Sequence, residues 1–474
     1  MKEGNQSVNS QINDIFTFID AHREEYIKEL IDFISIESTA SQKNEREKAR
    51  VFIEKQLQKT DLPSHRLKVN KGNDLLTSEK QGLKQKTVLF YNHYDVVEAG
   101  DPSKWDSGKP FALTEKGDFL YGRGISDNKG PLLSRIQAIR AILSVTGTLP
   151  VTIKYLFEGD EESGSPSMMD YVENHPALFR EACKADICFW ENGRRQGNGG
   201  PWARYGVRGN CSFDISVKTA TNDVHGRMGS IVPSASWRLI WALASLQSPD
   251  GKIKIKGFYD NIETPTEYEL KILRDFPYDE EFEKEKLGLA HFVNHVSGLE
   301  LKKQMYFTPT MSICGLESGQ MYIKPRGIVP HDAHARLSCY LVANQDPNRI
   351  ATLLQEHFKK LGLSDIKVDY LDGTFPVKTS MEIPETACLE KAALLAYNKP
   401  LVKEITQLGA GPAIALRRVI PDLKIIGIGP GNTNSNHHSP NENLKVDDYI
   451  RSMKFIVAFL YEYSNQSLKE DDLH

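Results

Sequence analysis

The chain has 474 residues, of which 40% are apolar and 26% charged, and its 59 Lys and Arg residues against 63 Asp and Glu residues leave a net charge of −4. A single hydrophobic core stops growing at roughly 250–300 residues, so we expect at least two domains. The composition is typical of a globular protein. The charge balance argues against nucleic-acid or anionic-membrane partners, because both favour basic surfaces.

Signals for export or membrane insertion are not apparent in the sequence. Residues 1–7 are polar and contain no apolar segment of the kind found in signal peptides. No apolar run approaches the ~20 residues that a membrane helix needs. The six cysteines are scattered and form no Cys-x-x-Cys pair, which is typical of reduced thiols. We therefore expect a cytoplasmic protein whose cysteines are structural.

The first part of the chain alternates between predicted helices and predicted strands. Apolar residues recur at helical spacing over about 27–34, 44–57, 131–143 and 171–183, and short apolar runs typical of buried strands occupy 88–91, 151–157 and 187–190. Strands that alternate with helices indicate an α/β fold with a mainly parallel sheet and helices on both faces.

The pattern changes near residue 205 and changes back near residue 380. Between these points we predict strands over 212–217, 336–342 and 366–370, helices over 233–246 and 346–361, and a charged, irregular stretch over roughly 251–305. A helix over 388–397, a strand over 423–428 and a helix over 447–463 then resume the first pattern. The sequence thus predicts an α/β domain of residues 1–206 and 379–474, interrupted by an inserted, smaller α+β domain of residues 207–378.

Residues able to bind metals or transfer protons follow each predicted strand of the α/β domain. These segments are Asn92-His93-Tyr94-Asp95, Glu158-Gly159-Asp160-Glu161-Glu162, Glu191-Asn192 and His437-His438-Ser439-Pro440-Asn441-Glu442. A further segment, 122–130, contains Asp127 and lies between the first two. Ligands of open α/β sheets bind beyond the carboxyl ends of the strands, so we expect these segments to converge.

Taken singly, each segment has a simpler interpretation as a surface pair, a solvated loop or a turn. Together they supply two or three imidazoles and four or five carboxylates, a charge that needs cations to balance it. Imidazole with carboxylate and no thiolate suits Zn, Mn or Co, and two ions ~3.5–4 Å apart would use the whole set. Because His437 and His438 are adjacent, we expect at most one of them to be a ligand.

With these motifs the sequence resembles the M20 family of co-catalytic metallopeptidases, and within it the branch of nonspecific dipeptidases and carnosinases. The resemblance extends over essentially the whole chain and depends on residues 92–97, 121–130, 158–165 and 438–442. It implies a hydrolase that cleaves the amide bond of dipeptides or short peptides. It also implies two divalent metal ions per subunit, which we expect to be zinc, with Mn or Co as alternatives.

The resemblance implies a role for five side chains as metal ligands. Asp127 would bridge the two metals. His93 and Glu191 would complete one site. Glu162 and His438 would complete the other.

Three further residues have roles implied by the resemblance. Asp95 would hold the ring of His93, as metal-bound imidazoles usually require. Glu161 would be the general base that takes a proton from water and passes it to the leaving amine. The inserted domain resembles the family's lid, which also mediates dimerisation, and His225 within the segment 222–226 matches a His that reaches the partner subunit's active site. We expect His225 to stabilise the developing oxyanion; the alternative is an ordinary surface residue of the lid.

Two departures from the dipeptidase branch affect substrate recognition. Tyr340 stands where the branch has an Arg that binds the substrate carboxylate, and a phenol cannot form the bidentate ion pair of a guanidinium. The late substrate-binding loop, Gly-Gly-Ser/Thr-Ile-Pro in the branch, is altered over residues 408–412. Arg326, Arg336 or Arg208 could bind the carboxylate instead, and the sequence does not discriminate among them.

Two rival functions remain open at this point. The first is the same chemistry on an N-acyl amino acid, which the altered recognition residues favour. The second is a catalytically silent binding protein of the same fold, against which stands the presence of every proposed ligand and of Glu161. The expected partners are a small peptide or N-acyl amino acid and a second copy of the chain in a homodimer, with no nucleic acid and no membrane.

Overall fold

A computed structural model describes residues 2–321 and 327–466 of the chain. The chain divides into two compact units. The first unit comprises 1–206, 379–404 and 415–474, and the second comprises 207–378 and 405–414. The short segment 405–414 therefore groups with the inserted residues, whereas the boundary drawn from the sequence places it in the α/β domain.

Helices and strands alternate through most of the first unit. In chain order, the α-helices are Lys2–Ala21 (α1), Arg23–Ile34 (α2), Lys43–Gln58 (α3), Lys129–Thr146 (α4), Pro166–Asn174 (α5), Pro176–Cys183 (α6), Ala235–Leu246 (α7), Glu267–Asp275 (α8), Glu280–Leu287 (α9), Gly298–Phe307 (α10), Pro347–Lys360 (α11), Pro384–Tyr397 (α12), Ile414–Val419 (α13) and Val446–Asn465 (α14). The strands are His65–Leu67 (β1), Leu75–Lys80 (β2), Lys84–His93 (β3), Thr114–Lys116 (β4), Phe119–Tyr121 (β5), Val151–Glu158 (β6), Ile187–Trp190 (β7), Arg194–Arg195 (β8), Pro201–Arg204 (β9), Gly206–Lys218 (β10), Val224–His225 (β11), Thr310–Glu317 (β12), Ile328–Val329 (β13), Asp332–Leu341 (β14), Lys367–Thr374 (β15), Val377–Lys378 (β16), Val402–Glu404 (β17), Gln407–Ala410 (β18), Lys424–Gly427 (β19) and Asn443–Lys445 (β20).

The first unit is organised around one large sheet. Its strands follow the order β1-β2-β6-β3-β7-β19-β9-β17, with β8 added beside β9. The four central strands, β6, β3, β7 and β19, are mutually parallel, so their carboxyl ends lie at the same edge. Every residue of β6 and of β7 is buried, as expected for parallel strands covered on both faces. The predicted α/β class with a mainly parallel sheet is confirmed.

The second unit is built on an antiparallel sheet. Its strands follow the order β12-β14-β10-β15. Burial alternates along β10 and β14, because one face of the sheet packs on an apolar core while the other faces outward. Residues of α7 and α11, among them Leu239 and Leu354, fill that core. The strand β12 lies at one edge of the sheet.

Two local predictions differ from the structure. The helix predicted over 171–183 is two helices, α5 and α6, because Pro176 has no backbone N–H to continue the first and instead occupies the first position of the second. The prediction of an irregular stretch over 251–305 is wrong, since that stretch contains α8, α9 and α10. Few of their residues are buried, and α9 buries none, so the apolar periodicity that marks a helix is weak there.

Among residues 2–321 and 327–466, none of the helices combines the length and the apolar character required to span a bilayer.

Candidate metal centre

His93 is the last residue of β3 and is almost fully buried, with 1% of its surface exposed. Its Nδ1 lies 3.1 Å from the Asp95 carbonyl oxygen and 3.5 Å from Asp95 Oδ1. Its Nε2 lies 3.2 Å from Asp127 Oδ1. When Nδ1–H donates to Asp95, Nε2 presents a free lone pair toward Asp127, which is the orientation that a metal-binding imidazole needs.

Asp127 occupies the centre of the cluster, two residues before the start of α4. Its Oδ1 faces His93 Nε2, and its Oδ2 lies 3.3 Å from His438 Nε2. One carboxylate thus stands between two imidazoles that come from opposite ends of the sequence. The structure brings His93, Asp127 and His438 together.

Glu442 holds the loop that carries Asp127. Its buried carboxylate accepts hydrogen bonds from three successive backbone amides of that loop, those of Gly124 at 2.8 Å, Ser126 at 2.8 Å and Asp127 at 2.9 Å. It also accepts from Arg123 Nη1 at 2.8 Å, and both side chains are buried. The sequence analysis quoted Glu442 within a motif but assigned it no role; an acidic residue that recurs beside ligand motifs without being a proposed ligand was the available signal.

Glu161 and Glu162 lie in a short turn three and four residues beyond the end of β6. The backbone N–H of Glu162 donates to Asp95 Oδ2 at 3.0 Å, so Asp95 contacts both this turn and His93. Glu162 Oε2 lies 3.2 Å from His438 Nε2. These contacts bring the turn to the same edge of the sheet as the end of β3.

Glu191 directly follows β7 and is buried, with 7% of its surface exposed. Its φ of 31° lies in the left-handed region, which costs a non-glycine residue about 1–3 kcal/mol and persists only where the surroundings enforce it. The next loop is close: a Cβ on Gly193 would lie 2.3 Å from the Gly429 nitrogen, so only glycine fits there.

The two adjacent histidines of the last loop have different surroundings. His438 contacts Asp127 and Glu162, and its side chain is 56% exposed. His437 Nε2 lies 2.9 Å from Ser126 Oγ, whereas its Nδ1 is 3.8 Å from Asp127 Oδ2. Of the two, His438 is therefore the better placed to share a metal with Asp127.

Burial and charge shift the proton affinities in this metal-free cluster. Burial raises the pKa of Glu161 well above its usual range and raises the pKa of Glu191 to about 7. Hydrogen bonds to Asp127 and Glu162 raise the pKa of His438 to about 10. Burial opposes the charged form of His93, but its contacts with Asp127 and Asp95 raise its pKa well above the usual range. The histidines thus take up protons because cations are needed beside these carboxylates.

The donor atoms fit divalent metal ions. One set of ligand atoms within 4.8 Å of one another comes from His93, Glu161 and Glu162, and a second comes from Asp127, Glu162 and His438. Glu162 Oε1 and Glu191 Oε1 are buried and, within the part of the chain that the structure describes, have no hydrogen-bond partner. Glu191 belongs to neither set. Buried carboxylate oxygens without donors are the atoms that a cation would satisfy.

Four residues predicted to act in recognition lie in the second unit. His225 is exposed at the end of β11, and its Nδ1 accepts a hydrogen bond from the Arg227 backbone at 3.2 Å. Tyr340 is 39% exposed on β14. Two arginines are already engaged: the buried Arg208 donates to the carbonyls of residues 305 and 308, and Arg336 pairs with the carboxylate of residue 214. The third arginine, at position 326, lies outside the described residues.

Comparison with known proteins places this geometry in a family. The model of peptidase family M20/M25/M40 matches residues 89–462. Beta-Ala-His dipeptidase of Mus musculus is 25% identical over 96% of this chain and 96% of its own length. Cys-Gly metallodipeptidase of Saccharomyces cerevisiae is 28% identical over 80% of this chain and 80% of its own length.

A solved structure supports the same assignment. The crystal structure of an M20 family metallo-carboxypeptidase from Sulfolobus solfataricus matches with a TM-score of 0.85 and 29% sequence identity, covering 93% of this chain and 99% of that one. The resemblance inferred from the sequence motifs is confirmed. The chain belongs to peptidase family M20/M25/M40 and is a metallopeptidase of that family.

Proposed function

We propose that the protein is a dinuclear dipeptidase that uses two zinc ions per subunit to cleave the amide bond of dipeptides or short peptides. The observation that carries the proposal is the Asp127 carboxylate, whose two oxygens face His93 Nε2 at 3.2 Å and His438 Nε2 at 3.3 Å. A carboxylate between two imidazoles is what a ligand shared by two ions requires. The names of the two dipeptidase relatives support the substrate class.

The ligand roles follow from the same contacts. Asp127 would bridge the ions, His93 and Glu191 would hold one, and Glu162 and His438 would hold the other. Asp95 would act through His93, because its carbonyl and carboxylate oxygens lie on the Nδ1 side of the ring. Imidazole and carboxylate ligands are also compatible with Mn or Co, so metal analysis of the purified protein tests the choice of zinc.

Glu161 would be the general base. Bound metals would polarise the scissile carbonyl and make water in the site more acidic. Glu161 would accept a proton from that water and deliver it to the nitrogen of the leaving amine. Burial raises the pKa of Glu161 well above its usual range, which moves it toward the working pH at which a carboxylate can both take and return a proton.

The variant Glu161→Gln tests this role. We expect kcat to fall by roughly 10²–10⁴-fold, the usual contribution of general acid–base catalysis, with metal content unchanged. Steady-state kinetics and elemental analysis of the same preparation measure the two quantities. A matched control is Glu173→Gln, at an exposed position on α5 in the same unit. Full activity in Glu161→Gln would contradict the mechanism.

The substrate class is tested by a panel. Dipeptides that include β-Ala-His and Cys-Gly are compared with N-acetyl and N-succinyl amino acids at matched concentrations. We expect the larger kcat/KM for dipeptides. A preference for acylated substrates would support the alternative, an N-acyl amino acid amidohydrolase, which Tyr340 in place of an Arg keeps open. Absence of turnover on either class in metal-loaded protein would support a silent binding protein.

We also propose a homodimer formed through the second unit. The helix α7 exposes three large apolar side chains, with Trp237 56%, Ile240 44% and Trp241 54% exposed. The edge strand β12 exposes Ile313 and Leu316 as well. An edge strand beside an exposed apolar helix is a typical surface for self-association. Light scattering of the wild type and of Trp237→Glu tests the dimer; cytoplasmic localisation stays a prediction from the sequence.

Within such a dimer, we propose that His225 stabilises the oxyanion in the partner subunit's active site. Mixed dimers distinguish this role from one within the same subunit. A dimer of one Glu161→Gln chain and one His225→Ala chain keeps one complete site only if His225 acts across the interface. Recovery of activity on mixing the two inactive variants is the expected result, and no recovery in verified mixed dimers would contradict it.

A further inference from the structure

Arg135 lies on α4, two turns after Asp127, and is fully buried with 1% of its surface exposed. Its guanidinium donates only to oxygens at the ends of the central strands. Nη1 donates to the carbonyls of Tyr91 at 2.7 Å and Phe189 at 2.9 Å and to Asn92 Oδ1 at 2.7 Å. Nη2 donates to the carbonyls of Trp190 at 3.4 Å, Glu191 at 2.7 Å and Ile428 at 2.9 Å.

These acceptors belong to the segments that carry the proposed metal ligands. The acceptors on β3 lie one and two residues before His93. One acceptor is the carbonyl of Glu191 itself, and the last lies at the end of β19, where the loop to His438 begins. The helix that bears Arg135 starts beside Asp127. One side chain therefore ties together four segments that converge on the candidate metal centre.

Asn92 extends the same network. Its side-chain oxygen accepts from Arg135, so its amide nitrogen points the other way and donates to the side chain of Asn128 and to the Glu191 carbonyl, the latter at 3.3 Å. The Glu191 carbonyl thus receives two hydrogen bonds from buried donors. They hold the backbone of Glu191 in its left-handed conformation, which directs where the carboxylate of this residue lies.

The charge of Arg135 is not used in an ion pair, since among the described residues no carboxylate lies within ion-pair distance of it. Burial lowers the pKa of Arg135 to about 10, so the guanidinium remains charged at neutral pH. A buried cation that donates only to neutral oxygens is costly to keep for stability alone. Its planar fan of donors suits carbonyls that diverge where parallel strands end, and a lysine could not reach as many of them.

We propose that Arg135 is a positioning residue that sets the places of Glu191 and His93 relative to Asp127, and thereby the affinity of the metal site that Glu191 and His93 would form. The proposal deepens the proposed function and rests on it. Partners that orient metal ligands typically change metal affinity by about 10–100-fold when they are removed. We expect an effect of that size at one of the two metal sites and little effect at the other.

The experiment compares Arg135→Gln with Arg135→Lys and with a control on the same helix, Arg140→Gln. Arg140 is also an arginine of α4 but pairs with Glu29, at 2.9 and 2.8 Å, and contacts no strand end. Each protein is dialysed against zinc buffers of defined free concentration. Bound zinc is counted by elemental analysis, folding is checked by circular dichroism and the melting temperature is recorded.

In Arg135→Gln we expect one zinc equivalent to bind about 10–100-fold more weakly while the other keeps its wild-type affinity, with partial recovery in Arg135→Lys. Arg140→Gln should lower the melting temperature and leave both equivalents unchanged. Two unaltered equivalents in Arg135→Gln, or failure of both Arg135 variants to fold, would overturn the inference. Wild-type protein that binds no zinc, Mn or Co would instead overturn the proposed function.

Discussion

The two histidines of the candidate metal centre differ sharply in their surroundings. The side chain of His93 is 2% exposed at the end of a central strand, whereas that of His438 is 56% exposed in a loop. Both contact the same Asp127 carboxylate. The difference teaches that one half of the site is positioned by the sheet and the other by hydrogen bonds within loops, so the two halves should respond differently to substitution.

Glu442 offers the strongest way to break this comparison, because it belongs to the His438 loop and yet is fully buried. Glu442→Gln would leave Arg123 without its carboxylate and weaken three amide contacts of the Asp127 loop. Removing one partner of a buried ion pair costs about 3–5 kcal/mol, and we expect that loss in the free energy of unfolding.

Chemical denaturation of metal-free protein measures the effect of Glu442→Gln. The exposed pair of Lys303 and Glu300 supplies the control, since Glu300→Gln should change stability by less than about 1 kcal/mol. Equal, small losses in both variants would show that the ion pair beneath the Asp127 loop is not needed to hold it.

Substitution of the two histidines sharpens the comparison directly. His93→Ala and His438→Ala should each weaken zinc binding by more than about 100-fold, the upper range for loss of a partner that only orients a ligand. Only His93→Ala should also lower the stability of the metal-free protein, because it leaves a cavity at a buried strand end. Zinc titration and thermal unfolding measure the two effects, and a larger loss of stability in His438→Ala would reverse the comparison.

Proton release should separate the two halves by the smallest effect. Because its pKa is raised to about 10, His438 is protonated at pH 7 in metal-free protein, and a ligand must lose its proton to bind a cation. The pKa of His93 is raised as well, so loading at pH 7 should release about two protons from the two rings. Apparent zinc affinity should therefore rise with pH, by roughly tenfold per unit for each proton displaced.

Calorimetry in buffers of different ionisation enthalpy counts the released protons. The variant His438→Ala should release about one proton fewer than the wild type at pH 7. Zinc affinity that is constant between pH 6 and 8 would mean that neither imidazole carries a proton in metal-free protein.

Much of the candidate site could be predicted from the sequence. His93 and Glu191 were recognised because polar residues directly after apolar runs lie at the carboxyl ends of parallel strands, and such ends meet at one edge. The role of Arg135 could not be predicted in this way. On α4 it occupies one position of a helical apolar pattern, and nothing in the chain beside it indicates that six oxygens from distant strands converge on it.

The same limit applies to the second unit. The helices α8, α9 and α10 bury few side chains, so their sequence lacks the periodicity from which α4 and α7 were predicted. Segment 405–414 is another case: it lies far along the chain from 207–378, yet its strand β18 pairs with β10. Pairing between strands distant in sequence depends on the folded backbone, which local composition does not encode.

The sequence by itself determined the α/β class, the order of the chemical motifs and the set of imidazole and carboxylate donors, because apolar periodicity and residue type are local properties. Only the tertiary structure decided that Asp127 lies between His93 and His438, that Glu442 holds the Asp127 loop and that Arg135 joins the strand ends. These contacts link residues tens to hundreds of positions apart, and their distances follow from how the packed strands and loops end in space.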